Sequence, residues 1–337
     1  MNATLSRLTK RFIDDFNTAK KVYKLDGNYA ASSYAASLLG STVPIDEERL
    51  KEAKKLISRH SAGLVNIKGT LAKEVAAAAV AESTDPDYAA QKINELYASL
   101  RKICSGSDFF GVPASIIYKS VQNVHYEQVI EKVNAVYKGL RKKHPFLTSY
   151  EDIVGCTLMA LTDKSVDDIV ADSEACFDIL KKKFIVNNNA QTVACVLSLF
   201  AGTAEERCDK TIEVEKVLKK ARISFGDRSL GTLATIAMVI KREDLQSYIS
   251  DVREVSDALK SVRGLGNFGV GRQFRNLIAA AIVTVAYSEE NKTNIEASAV
   301  NGIVSTMFTQ HLIVVACMSY AITSASNNIH ISSSSDK

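Results

Sequence analysis

The residues with the clearest chemical potential are the glycines and arginines between Arg263 and Arg275. The stretch GLGNFGVG at Gly264–Gly271 matches the pattern GxGxxG and adds a further glycine. In dinucleotide-binding proteins this pattern follows a β-strand and opens a helix, so that backbone amides contact a pyrophosphate. Here a predicted helix, residues 248–263, precedes the glycines, which argues against a Rossmann fold. A kinase glycine-rich loop is also excluded, because no HRD or DFG motif follows.

An anion site remains as the functional interpretation of this segment. Backbone amides freed by glycine, a helix beginning near Arg272 and nearby guanidinium groups all suit a phosphate-like anion. We expect the amides around Gly269–Arg272 to point to one spot, with Arg263 or Arg275 covering it. The alternative is a flexible connector within the fold. The predicted anion-binding residues are Arg263, Gly264, Gly266, Gly269, Gly271, Arg272 and Arg275.

Other groups of reactive residues favour structural roles. Asp167, Asp168 and Asp172 come within one residue of the DDxxD metal motif, but acidic residues at a helix start also complement the helix dipole. The six cysteines include no CxxC pair and the five histidines no HExxH motif, so we predict no metal site and no cofactor. Buried free thiols in a cytoplasmic protein explain the cysteines best. No catalytic residue can be assigned, and an enzyme is not favoured.

The composition is that of a water-soluble globular protein. Of the 337 residues, 46% are hydrophobic and 24% charged, which excludes a disordered chain. The net charge of +4 is too small to favour nucleic acid as a partner. The most apolar segment, Leu312–Ile322, is too short to cross a membrane, so no membrane span is predicted.

A repeat supplies the elements that would position the glycine-rich segment. Similar seven-residue stretches begin at positions spaced 40, 40, 38 and 41 residues apart, namely Leu96, Val136, Cys176, Val214 and Val255, and a weaker copy begins at Ala53. Self-similarity at such a period indicates a helical repeat. The sequence therefore predicts an all-α fold, an array of antiparallel helix hairpins with a period near 40 residues. The array is either an open α-solenoid or a closed α/α toroid.

Each repeat contains two kinds of helix. The first is amphipathic and ends in basic residues, and we expect its register leucines to be buried: Leu100, Leu140, Leu180, Leu218 and Leu259. A more continuously apolar helix precedes it, predicted at 71–81, 114–124, 153–161, 192–200 and 230–240. Helix starts are indicated by Asp85-Pro86, by Ser165 with Asp168 and by Thr203 with Glu206.

The loops between the helices carry recurrent phenylalanines, which we expect to fill the space between stacked hairpins. They are Phe109, Phe110, Phe146, Phe184, Phe225 and Phe268. The whole chain is then one helical-repeat domain, residues 1–330. It comprises an N-terminal cap at 1–40, tandem hairpins at 41–271 and apolar C-terminal helices at 272–330. A disordered tail, 331–337, follows.

Two stretches resemble a known family. HPFLTSYEDIVGCTLMAL at His144–Leu161 follows a helix that ends in Y-x-x-L-[KR]-K, and GLGNFGVGRQFRNLIAAAIVTVAY begins at Gly264. Both are similar to a family of predominantly helical bacterial proteins, the domain of unknown function 4003. The resemblance implies a cytoplasmic bacterial protein of about this length and does not indicate an activity. The junction Ser149-Tyr150 and the run Asn187–Asn189 look like local departures from the family pattern.

Two functional hypotheses follow from the predicted array. The preferred one is a scaffold that binds a protein or peptide partner along an extended helical surface. The alternative is a small-ligand or anion-binding protein, or an enzyme, with its pocket inside an α/α toroid. A set of polar side chains converging on one cavity would favour the alternative.

Overall fold

The computed structural model describes residues 1–24, 26–60, 67, 70–104, 110–183, 187–225 and 230–291. These residues form fourteen α-helices, three short 3-10 helices and no β-strand, so the all-α prediction is confirmed. The helices are α1 (Ala3–Val22), α2 (Gly27–Ser37), α3 (Glu47–Arg59), α4 (Thr70–Glu82), α5 (Pro86–Leu100), α6 (Gly111–Ser120), α7 (Tyr126–Lys143), α8 (Ile153–Ala160), α9 (Val166–Leu180), α10 (Asn187–Leu197), α11 (Ala204–Lys220), α12 (Leu230–Val239), α13 (Leu245–Lys260) and α14 (Gly271–Asn291).

The helices pack in consecutive pairs. Each odd-numbered helix lies against the even-numbered helix that follows it, and the pairs then contact one another in two rows. Even-numbered helices pack against even-numbered ones, and odd-numbered helices against odd-numbered ones. All five register leucines are buried, with at most 2% of the residue exposed. The apolar face of α1, formed by Leu5, Leu8, Phe12 and Phe16, is buried as well.

The predicted helix starts are present. Asp85 accepts a hydrogen bond from the Tyr88 amide, and Pro86 takes the first helical position of α5. Thr203 and Glu206 form a complete capping box at the start of α11. Because these signals act within four residues, they determine where the helices start without contacts from distant parts of the chain.

The first and last pairs are also in contact. Helix α14 packs against both α1 and α2. The Tyr29 hydroxyl donates to the Val270 carbonyl at 3.2 Å, and the Tyr29 and Phe274 rings meet edge to face at 4.7 Å. Arg7 and Glu289 form an ion pair at 2.6 Å. These contacts join residues more than 240 positions apart in the chain.

Two expectations about local packing are wrong. Phe110 and Phe225 are buried, but Phe146 and Phe268 are fully exposed, so the loop phenylalanines do not share one packing role. Phe109 and Phe184 lie outside the described residues. Helix α6 stops at Ser120 because Val121 adopts an extended conformation, and Val124, expected in that helix, is 77% exposed. The predicted segments beyond residue 291, including 312–322 and the tail 331–337, also lie outside the described residues.

Candidate functional site

A basic cleft of about 360 Å³ lies where the end of α11 meets α13 and the start of α14. Five cationic side chains and a single carboxylate line it: Arg222, Arg253, Lys260, Arg272 and Arg275, with Asp257. Ala221, Ile223 and Val252 add an apolar part to the lining. Among the described residues, none of the five cations forms an ion pair within 4 Å. This basic cleft therefore carries uncompensated positive charge.

The wall formed by α11 is held by side chains from the last helix pair. The C-terminal carbonyls of a helix lack partners within the helix. Arg253 donates to the Ala221 carbonyl at 2.7 Å, and Arg272 donates to the Arg222 carbonyl at 3.5 Å. Each of these arginines thereby fixes the cleft geometry and still has further N–H donors.

Arg222 has an unusual backbone conformation. Its φ of 58° is positive, and among the described residues it is the one non-glycine residue with positive φ. An L-residue with a side chain in this region is strained by roughly 1–2 kcal/mol. Strained residues concentrate at ligand-binding positions. The conformation places a long cationic side chain directly after α11, where glycine would be the unstrained choice.

The glycine-rich loop closes on itself. Gly264 and Gly271 have φ values of 105° and 77°. A Cβ on Gly269 would lie 2.0 Å from the Gly264 carbonyl oxygen, so only glycine fits this close approach. The amides of Gly269 and Gly271 both donate to the Gly266 carbonyl, at 3.0 and 3.3 Å. The amides of Gly269 and Gly271 are therefore already bonded within the loop, and the predicted anion site at Gly269–Arg272 stays a prediction.

Arg275 fastens this loop to the helices. Its side chain is almost completely buried, and its guanidinium donates to the Leu265 carbonyl at 3.3 Å, to Asn267 Oδ1 at 3.0 Å and to Ser256 Oγ at 3.3 Å. Burial lowers the pKa of Arg275, and the Asp257 carboxylate opposes that change. Arg275 thus positions Asn267 and Ser256 at the cleft wall.

The predicted anion-binding residues divide into two groups. Arg272 and Arg275 line the basic cleft. Arg263 is not among the residues that line it, and its carbonyl accepts a hydrogen bond from Lys20 Nζ at 3.0 Å. The four glycines, Gly264, Gly266, Gly269 and Gly271, shape the adjacent loop but do not line the cleft.

Three cationic lining residues were missed by sequence reasoning: Arg222, Arg253 and Lys260. A signal was present for two of them, because Arg253, Asp257 and Lys260 follow at i, i+4 and i+7 along α13 and so share a helix face. Nothing local marks Arg222, because its place depends on how α11 packs against α13.

A second polar cluster lies between the first two helix pairs. Glu74 on α4 is fully buried, and within the described part of the chain neither of its carboxyl oxygens has a hydrogen-bond partner. The hydroxyls of Tyr23 and Tyr34 are buried without a partner there as well. Burial raises the pKa of Glu74 well above its ordinary value. Burial therefore favours the neutral form of this carboxyl.

Metal-binding clusters and membrane-spanning helices are both absent from the described ranges. No group of three or more His, Cys, Asp or Glu side chains there is arranged to hold a metal ion. No helix in the same ranges combines the length and the apolar character needed to cross a bilayer.

Comparison with known proteins gives one match. A family model described as "Protein of unknown function (DUF4003)" matches residues 15–318. No curated protein and no solved structure matches the chain.

Proposed function

We propose that this chain, which belongs to the DUF4003 family of proteins of unknown function, binds a phosphate-bearing small molecule in the basic cleft. The observation that carries this proposal is the charge of the lining, five cationic side chains against one carboxylate. Like charges gathered around one cleft repel one another, and an anionic ligand would relieve that repulsion. Guanidinium groups also match the geometry of phosphate oxygens.

The size and composition of the cleft support a small ligand. Pockets for small molecules begin at about 300 Å³ and combine apolar surface with a few polar groups. Ile223 and Val252 would contact the uncharged part of the ligand, while Arg222, Arg272 and Lys260 would contact its phosphate oxygens. Asp257 would accept a hydrogen bond from a ligand hydroxyl or amine.

The test is designed around cations that do not hold the fold. No side-chain hydrogen bond or ion pair is seen for Lys260 or Arg222 in the described residues, and Lys260 is exposed. The double variant Arg222→Gly with Lys260→Gln removes two charges without removing a helix cap. The matched control is Lys142→Gln with Lys182→Gln, which removes two charges from exposed lysines at the ends of α7 and α9.

Pyrophosphate and ATP serve as probes in isothermal titration calorimetry at fixed ionic strength. We expect wild type and control to bind at least one probe, and the cleft variant to bind it at least about tenfold more weakly, a loss of about 1.4 kcal/mol. Equal weakening in the control would show non-specific attraction. Absence of binding of both probes to wild type would contradict the proposal.

A protein- or peptide-binding scaffold is the second candidate. It is supported by Phe146 and Phe268, which are fully exposed in two loops that each connect an odd-numbered helix to the next even-numbered one. Exposed aromatic residues are enriched at protein interfaces. If this function is correct, Phe146→Ser with Phe268→Ser should abolish retention of a partner that wild type holds in affinity purification.

We also propose that the array is a closed α/α toroid in a cytoplasmic protein. The contacts of α14 with α1 and α2 support closure, because an open solenoid leaves its ends apart. The free thiols of all five described cysteines support a reducing compartment.

A further inference from the structure

Arg275 is a buried cation that no side chain neutralises. It is 4% exposed, and in the described part of the chain no carboxylate lies within 4 Å of its guanidinium group. The other buried arginine of the described residues, Arg207, is 3% exposed and donates to both carboxylate oxygens of Asp172. Buried charges in proteins are normally paired, because removing an ion from water is costly. The unpaired charge of Arg275 therefore points to an anion in the basic cleft.

The hydrogen bonds of Arg275 leave one of its nitrogens for the cleft. Nε donates to Ser256 Oγ, and Nη1 donates to the Leu265 carbonyl and to Asn267 Oδ1. Nη2 has no hydrogen-bond partner among the described residues, yet it is not one of the fully buried atoms. Because Arg275 lines the basic cleft, both N–H groups of Nη2 are available to a molecule bound there.

Asn267 presents a second donor beside Arg275. A guanidinium group can only donate, so the oxygen of the Asn267 amide faces Arg275 and its NH2 group faces away. Asn267 is exposed and lines the cleft. Ser256 differs, because its single hydroxyl proton is donated to Asn276 Oδ1 at 2.9 Å. Arg275 and Asn267 thus both offer free N–H donors at this end of the cleft, and we call these two residues the donor floor.

The chemistry of the donor floor matches a phosphoryl group with no proton on its oxygens. A terminal phosphoryl group has three acceptor oxygens and carries about 1.5 to 2 negative charges at neutral pH, which would offset the unpaired charge of Arg275. A phosphodiester carries one negative charge, and its second substituent would have to fit against a residue that is 4% exposed. The donor floor therefore favours a free phosphate end over a diester.

We propose that Arg275 and Asn267 bind a terminal phosphoryl group, and that they make the basic cleft selective for phosphomonoesters and other ligands with a free phosphate end. This inference rests on the proposed function, because it assigns one end of the phosphate-bearing molecule to the donor floor. Arg222 and Lys260 would then contact other anionic oxygens of the ligand. The donor floor distinguishes a free phosphate end from an esterified one, whereas Arg222 and Lys260 respond to the total negative charge.

The experiment compares each probe with an ester in which the phosphate ends are blocked. ATP is compared with its γ-methyl ester and pyrophosphate with its P,P′-dimethyl ester, by isothermal titration calorimetry at fixed ionic strength. For whichever parent compound binds, wild type should bind the parent at least about tenfold more tightly than the ester, a difference of about 1.4 kcal/mol.

Variants of the donor floor separate this selectivity from simple attraction between charges. Asn267→Ala removes one donor, and Arg275→Lys keeps the charge but loses the planar arrangement of N–H groups. In both variants the preference for the parent over the ester should fall to at most about threefold. Lys260→Gln is the matched control within the cleft. It should weaken the binding of parent and ester alike and leave their ratio unchanged.

The outcomes distinguish this inference from the proposed function. Equal binding of parent and ester to wild type would overturn the inference and leave the proposed function intact. A preference that a folded donor-floor variant leaves unchanged would also overturn it, and so would an equal loss of preference in Lys260→Gln. Asn267 is exposed, so Asn267→Ala decides alone if Arg275→Lys does not fold. Failure of wild type to bind either parent would overturn both proposals.

Discussion

Asp15 on α1 is predicted to make stability depend on pH, and Asp15→Asn tests this directly. The residue is 7% exposed, and its carboxylate meets Arg11 Nε at 3.4 Å. Burial raises the pKa of Asp15 from 3.8 to about 6, against the attraction of Arg11. Ionising the carboxyl therefore costs more in the folded protein than in the unfolded chain.

The sign and size of the effect follow from linkage. A carboxyl whose pKa is higher in the folded state stabilises fully below pH 3.8, and this stabilisation is lost as pH rises to about 6. The two pKa values differ by about 2, and one pKa unit corresponds to about 1.4 kcal/mol, so the loss is about 3 kcal/mol. The asparagine side chain of the variant has nearly the same shape as the aspartate, still accepts a hydrogen bond from Arg11, and does not ionise.

The assay is urea denaturation of wild type and Asp15→Asn at several pH values from 4 to 8. The free energy of unfolding of the variant minus that of wild type should rise by about 3 kcal/mol over this range. Any constant packing cost of the asparagine shifts the whole difference curve and leaves its slope intact. Asp14→Asn, at an exposed neighbour, is the control and should show a much smaller slope. A flat curve for Asp15→Asn would refute the reasoning, and a falling curve would show that the Arg11 ion pair outweighs burial.

Three further substitutions, the first with a matched control, test side-chain packing and backbone conformation. Leu180→Ala should reduce the free energy of unfolding by about 2–5 kcal/mol, whereas Val124→Ala, at an exposed position, should change it by less than about 0.5 kcal/mol in the same chemical denaturation. Gly269→Ala should lower the melting temperature, because the new methyl group collides with the Gly264 carbonyl; an unchanged melting temperature would contradict the loop geometry. Arg222→Gly alone should stabilise by roughly 1 kcal/mol through relief of the positive φ, and a loss of stability would show that the side chain contributes to folding.

Features set by nearby residues were predictable from the sequence. The capping box at Thr203 and the buried register position Leu180 both follow from residue types within a few positions. The exposure of Phe146 did not follow, because a loop side chain is buried only if a neighbouring helix pair covers it. The burial of the Glu74 carboxyl could not be predicted for a related reason, because one acidic residue in an otherwise apolar helix does not indicate which helices surround it.

The candidate site was only half predictable. The cation-rich segment with Arg272 and Arg275 was recognised, and both arginines line the cleft. Their hydrogen bonds differ, because Arg272 donates to the Arg222 carbonyl whereas Arg275 holds the glycine-rich loop. That distinction depends on which carbonyls come within reach after packing. The sequence suggested that the backbone amides of the glycines donate to a ligand. In the structure the loop closes on Gly266, and the Gly269 and Gly271 amides donate to its carbonyl.

The contacts between α14 and the first helix pair have a consequence for how the protein is made. A ribosome releases α1 and α2 long before α14 exists, and successive hairpins bury most of their surface against neighbours that emerge soon after. The partner of Tyr29 in the last pair, Phe274, is synthesised about 245 residues later. Until then part of the first pair has no partner, so the nascent chain exposes an apolar surface until α14 has been made. This surface is the one that chaperones would meet, and the final step of assembly would be the docking of α14 onto it.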